Sequence, residues 1–154
     1  MAAVLKKEII DLINEKSTVK ILATTDADGL PRGDVKEYLT VNTEGKLQYL
    51  ELLETARSYK NFTRSLWFDQ KISVTILGEN KESYLIIGKP EKIHISGELY
   101  EEQYNYIREY LGDVDLAAVC IIEPLSILDT TLAENMLEQD AKRPVFRHLD
   151  RLIK

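Results

Sequence analysis

Apolar side chains recur at Val4, Leu5, Ile9, Ile10, Leu12 and Ile13 among lysines, acids and asparagine. That spacing gathers them on one side of a helix and predicts an amphipathic helix over residues 2–16. Lys16-Ser17-Thr18 breaks the pattern. The run 19–25 is mostly apolar and β-branched and predicts a strand. Asp26-Ala27-Asp28-Gly29 reads as a turn, with Gly29 free to take positive φ. Pro31 suits a strand start because it offers no ladder N–H. A second strand continues over 32–41, with Val35, Tyr38, Leu39 and Val41 its less polar members. Asn42-Thr43-Glu44-Gly45 is another tight turn, followed by a third strand over 47–53.

A helix pattern runs from about residue 56 to 66–67. Alternation over 71–78 predicts a fourth strand, and 79–81 turns it. A long strand spans 83–96, where Gly88 and Pro90 mark a bulge or bend. Tyr100, Tyr104, Ile107 and Leu111 form one face of a helix over 100–111, which Gly112 is placed to end. The unbroken apolar run 116–123 predicts a central strand, interrupted by Pro124 and extended briefly over 125–128. Residues 132–139 carry a weak helical pattern. Pro144 suits the first turn of a last helix, 144–153, bearing Val145, Leu149, Leu152 and Ile153. Six or seven strands with short turns and a few helices predict a mainly β chain, a β-barrel with helices at its margins. No linker or repeat divides it, so residues 1–154 are expected to form a single domain.

The net charge of −6 disfavours nucleic acid as a partner, since no basic face dominates. No apolar run approaches the length needed to cross a membrane. The lone Cys120 lies in an apolar strand, where it serves as a small buried hydrophobe. Such usage fits a reducing, cytoplasmic compartment. His94 and His148 share no metal-type spacing with Cys120. Neither a G-x-G-x-x-G nor a P-loop occurs.

The most informative stretch is 46–68, where the third strand runs into a helix. Thr55, Arg57, Ser58, Lys60 and Asn61 fall close together at that junction. A helix start carries unpaired N–H groups and the positive end of the macrodipole. A guanidinium, an ammonium and two hydroxyls added there favour a phosphate. Residues 57, 60 and 61 share a face by their i, i+3 and i, i+4 spacing. The plainer reading is a polar helix start with Thr55 as N-cap. Trp67 is tempting as a ring neighbour, but a packed aromatic after a helix is the commoner case. The tyrosines of 100–111 likewise read as packing residues rather than a stacking platform.

Three stretches in order resemble the flavin-binding split-barrel family that includes pyridoxamine 5′-phosphate oxidase. ILATTDADGLPRGDV is similar to its opening hairpin, LETARSYKNF to its phosphate-binding junction, and KISVTIL with YLIIGKPEKI to a pair of its strands. The resemblance covers about residues 19–124 and implies a split β-barrel that binds FMN at the interface of a homodimer. It implies that Lys60 contacts the FMN phosphate with help from Arg57 and Ser58. Asp34, Val35 and Lys36 would run beside the isoalloxazine and offer it main-chain groups, and Ser83 would stand near the flavin. The activity implied is electron or hydride transfer to a small molecule, with a nicotinamide nucleotide as donor. Rival readings are a non-enzymatic FMN electron carrier, a barrel without cofactor, and a barrel holding deazaflavin or haem, with His94 as the haem ligand. The tail KRPVFRHLDRLIK does not match the oxidase's Arg-Leu-x-Pro-like motif, so pyridoxamine phosphate is not the expected substrate. Asp34 and Glu37 would disfavour an anionic reduced flavin. No side chain stands out as an essential acid, base or nucleophile.

Overall fold

A computed structural model describes residues 2–142. In chain order the elements are α1 (Lys7–Asn14), β1 (Val19–Thr25), β2 (Pro31–Val35), β3 (Leu39–Val41), β4 (Leu47–Glu51), α2 (Arg57–Trp67), β5 (Ile72–Leu77), β6 (Ser83–His94), α3 (Glu98–Leu111), β7 (Ala118–Asp129) and α4 (Leu132–Lys142). The helix expected at 144–153 lies outside the described residues, as does His148. The strands pair antiparallel in one sheet, ordered β2-β1-β5-β6-β7-β4-β3.

β2 and β3 lie at opposite edges of that sheet, yet only residues 36–38 separate them in sequence. Three residues reach roughly 10 Å at most, so the sheet must roll until its edges meet. The hydrogen bonds record the closure. The Lys36 N–H donates to the Lys20 carbonyl of β1 at 2.8 Å, and the Tyr38 carbonyl accepts the Leu50 N–H of β4 at 3.2 Å. The strand expected over 32–41 is therefore two strands. A bend makes one chain path leave β1 and join β4, because that path closes the barrel.

The change of partners leaves two openings. Carrying the β3–β4 register back from Leu39↔Tyr49 would set Val35 opposite Leu53. Instead β4 ends at Glu51 and the chain turns into α2, which makes the first opening. Carrying the β1–β2 register on from Ile21↔Val35 would set Tyr38 opposite Thr18. There β3 parts from β1, which makes the second. Lys20 reaches across the second opening from β1. Its ammonium donates to the Leu39 carbonyl at 2.9 Å and to the Ile13 carbonyl of α1 at 3.0 Å. The Asn14 amide oxygen accepts the Val41 N–H at 2.9 Å. An open strand edge is thus covered by side chains. Burial lowers the Lys20 pKa below its usual value, and Glu37 opposes that shift.

β7 runs straight through Pro124, where an interruption was expected. Pairing with β6 steps from Ile87↔Ser126 to Gly88↔Pro124, then from Pro90↔Ile122 to Lys92↔Ile121. Leu125 and Glu91 are the extra residues. A bulge tolerates a residue without an N–H, so the irregularity marked by Gly88 and Pro90 accommodates Pro124 as well. Gly88 has no alternative, since a Cβ would come within 2.8 Å of the Glu123 carbonyl oxygen and of Ile122 Cγ2.

The barrel interior is packed by Leu22, Leu47, Tyr49, Ile76, Ile86 and Ile122, closed by Ile9 and Ile13 of α1 and by Phe62 of α2. Phe62 meets the Tyr49 ring edge-on at 5.5 Å. Each such side chain fully buried stabilises the fold by roughly 1.5–3 kcal/mol. Cys120 lies opposite Tyr49, buried as expected, and burial pushes its thiol up to about 12. A second cluster forms on the outer face of β4 and β7, where Leu50, Val119 and Ile121 pack beneath Ile107 of α3.

Candidate functional site

The junction between β4 and α2 borders the first opening. Ala56, not Thr55, holds the N-cap position, and no side chain caps the helix. No acidic residue lies in the first turn. The main-chain N–H groups of Tyr59 and Lys60 bond back to the Ala56 carbonyl, whereas those of Arg57 and Ser58 have no main-chain acceptor among the described residues. Arg57 and Lys60 are exposed, and neither pairs with a carboxylate of a described residue. Two cations and two amides without partners among the described residues, at a positive helix end, have the chemistry that suits an anion such as a phosphate monoester.

The other two polar residues of the junction turn inward. Asn61 is buried and its amide donates to the Thr24 hydroxyl of β1 at 3.1 Å. It stands i+3 from Ser58 and i−4 from Ser65, both buried, and so belongs to the inner face of α2. The Ser58 hydroxyl accepts from the Lys36 ammonium at 2.8 Å and lies 3.5 Å from a Glu51 carboxylate oxygen. Ser58 can therefore offer an anion its main-chain N–H, not its hydroxyl.

Lys36 forms a largely enclosed ion pair with Glu51 at 2.9 Å, their side chains 12% and 5% exposed. The ammonium also stands 5.2 Å from the centre of the Tyr49 ring. One lysine thus ties the barrel-closing bend to the end of β4 and the start of α2. The pairing has no local sequence signature; the one cue available is that Glu51 is an acid within an otherwise mostly apolar strand.

β2 is an edge strand, so half of its main chain faces outward. Antiparallel hydrogen bonding alternates along a strand. Lys36 donates to β1, so Asp34 faces β1 as well and Val35 presents its N–H and C=O to the open edge. The Asp34 carboxylate accepts from Arg32 Nε at 2.9 Å. That partner was readable from the sequence, since i and i+2 share a face of a strand. Ser83 is remote from these groups. It bonds Thr130 and Thr131 at the far end of β7, whereas Glu51 pairs with Ala118 at the near end. The two ends lie roughly 30–40 Å apart along the strand. Within one chain the structure brings together Val35, Lys36, Arg57, Ser58 and Lys60 around the first opening, with Asp34 beside them, and leaves Ser83 apart. Trp67, expected to pack, is 80% exposed at the end of α2.

No protein-family model matches the sequence, and no curated protein matches it. Solved structures do. HupZ of Group A Streptococcus, in a tagged form, is 23% identical with a TM-score of 0.67, over 84% of this chain and 96% of that one. An FMN-binding protein from Syntrophomonas wolfei subsp. wolfei is 17% identical with a TM-score of 0.64, over 80% and 84%. The fold is the pyridoxamine 5′-phosphate oxidase-like split barrel. This split barrel is also similar to HutZ, the haem storage protein of Vibrio cholerae, at 18% identity and a TM-score of 0.58, over 82% of this chain and 95% of that one. Among the described residues of this split barrel, no helix is long and apolar enough to cross a membrane.

Proposed function

We propose that this split barrel binds FMN as a homodimer and exchanges electrons or hydride with a small molecule, a nicotinamide nucleotide serving as donor. The observation that carries the reading is the start of α2. There Arg57 and Lys60 pair with no carboxylate of a described residue, no side chain caps the helix, and the open edge of β2 borders the same opening. Lys60 and Arg57 would hold the phosphate, and the Val35 main chain would meet the ring. Arg32 compensates the Asp34 charge beside it. When bound, the isoalloxazine supplies the redox chemistry, and the protein anchors, orients and tunes it.

The outer face of the sheet supports the dimer. Val35, Ile21, Thr75, Leu85 and Leu128 stand in register across five strands. Val35 and Leu128 are exposed, and Val19 and Leu77 extend the patch. A patch of this kind marks an association surface. In such a dimer Ser83 would reach a flavin only from the second subunit.

One observation favours haem as a second reading. His94 is half-buried, and burial followed by Lys92 lowers its pKa, which keeps the imidazole in its ligand form. The absorption spectrum of the purified chain, incubated with FMN and desalted, separates the readings. Retained flavin bands are expected. A Soret band would point to haem at His94, and a colourless protein would overturn both.

A further inference from the structure

The second opening of the barrel holds a groove of about 740 Å³. Small-molecule sites commonly measure about 300–1,000 Å³ and combine apolar walls with a few placed polar groups. Gln48 and Leu50 from the outer face of β4 line it, with Thr18 from the approach to β1. Tyr38, Tyr106 and Tyr110 line it too. The Tyr106 and Tyr110 rings are parallel within 3° at 6.2 Å, and Tyr38 meets Tyr110 edge-on at 6.2 Å. The tyrosines of α3 therefore divide. Tyr100 and Tyr104 pack on the outer cluster as expected, while Tyr106 and Tyr110 stack along the groove.

One polar lining group stands ready for a ligand. Gln48 is 7% exposed, and its amide makes no hydrogen bond to any described residue. The Thr18 hydroxyl has no described partner either, but it is sealed from the groove. Enclosed polar groups are nearly always hydrogen-bonded, so an amide that opens only toward an aromatic groove points to something that completes it. Charge narrows the choice. Lys16 and Lys20 line the groove with Glu37 and Glu102, so the signs balance. Lys20 is already committed to two carbonyls, and Lys16 lies over the Tyr110 ring at 5.0 Å.

We infer that this groove binds a flat, uncharged heterocycle with an amide or lactam edge. The ring lies against Tyr106 and Tyr110, and the edge exchanges one donor and one acceptor with the Gln48 amide. The inference goes beyond the flavin reading and does not depend on it. Val35 is the shared wall, its side chain lining the groove and its main chain facing the first opening.

Saturation-transfer NMR on the full chain, with millimolar nicotinamide and uracil as separate probes, tests this. Nicotinamide carries an exocyclic amide and uracil a ring lactam, so the probe that binds names the source of the edge. Transfer to at least one probe is expected in the wild type. It should weaken at least tenfold in Gln48→Leu and in Tyr106→Ala and persist in Lys60→Ala, which touches only the proposed phosphate site. Tyr106 is 45% exposed, so its variant should fold, and thermal unfolding of each variant checks this. Absence of transfer to either probe in the wild type overturns the inference, as does undiminished transfer in a folded Gln48→Leu or Tyr106→Ala. Loss in Lys60→Ala would also overturn it, by moving the binding to the α2 junction.

Discussion

At the first opening of the barrel a half-buried lysine meets a buried carboxylate, and at the second a buried lysine meets only carbonyl oxygens. Lys36 and Glu51 neutralise one another beneath the start of α2, leaving Arg57 and Lys60 without a carboxylate partner among the described residues. Lys20 instead caps the ends of main-chain runs, the Leu39 carbonyl of β3 and the Ile13 carbonyl of α1. The difference teaches what each opening can hold. The first keeps spare positive charge at its surface, which suits an anion. The second uses its charge internally and exposes tyrosines and an unpaired amide, which suits a neutral ring.

The largest effect that separates the two is expected from Lys36→Met. It would leave Glu51 buried without a counter-charge and cost about 3–5 kcal/mol in urea unfolding. Adding Glu51→Gln should recover most of that loss. A cost below about 1 kcal/mol would mean that the ion pair does not organise the first opening. Lys20→Met should cost less, about 1–3 kcal/mol, because it strands carbonyl groups rather than a charge. If Lys20→Met proved the more damaging, the contrast between the openings would be reversed.

Tyr49→Phe should change neutral-pH stability by no more than about 1 kcal/mol, since the buried Tyr49 hydroxyl has no partner among the described residues stronger than the weakly polar Cys120 thiol. Its larger effect is on pH dependence. Burial, then Cys120, raises the Tyr49 pKa well above the ordinary value. The unfolded chain therefore loses this proton first as pH climbs past about 10, and stability present below that pH is lost above it. Unfolding free energies measured from about pH 8 to 11 should fall less steeply in Tyr49→Phe than in the wild type. Equal slopes would place the alkaline loss on Cys120, whose thiol pKa is also raised by burial, and on other tyrosines.

Local chemistry was legible in the sequence, and closure was not. The β6 irregularity could be read from Gly88 and Pro90, because both have backbone requirements of their own. Pro124 misled, since its tolerance depends on a bulge that involves another strand. The bend at residues 36–38 had no local signal, because the chain there departs from a single strand only to join two sheet edges. Lys60 and Arg57 are exposed at the start of α2, where the proposed phosphate site would use them. Ser58 and Asn61 have the right chemistry but the wrong side of the helix, which follows from their spacing to Ser65 and Phe62. Gln48 drew no attention as one polar residue in a strand, and only its enclosure without a partner among the described residues marks it.

The most direct test of a phosphate site at the first opening is an FMN titration of the wild type, Lys60→Ala and Tyr106→Ala, followed by flavin fluorescence. Lys60→Ala should weaken binding by about 1.5–3 kcal/mol, or roughly 10- to 150-fold, through loss of a charge-assisted contact, with Tyr106→Ala unchanged. Equal affinity in Lys60→Ala, with loss confined to Tyr106→Ala, would contradict this and move the flavin to the second opening.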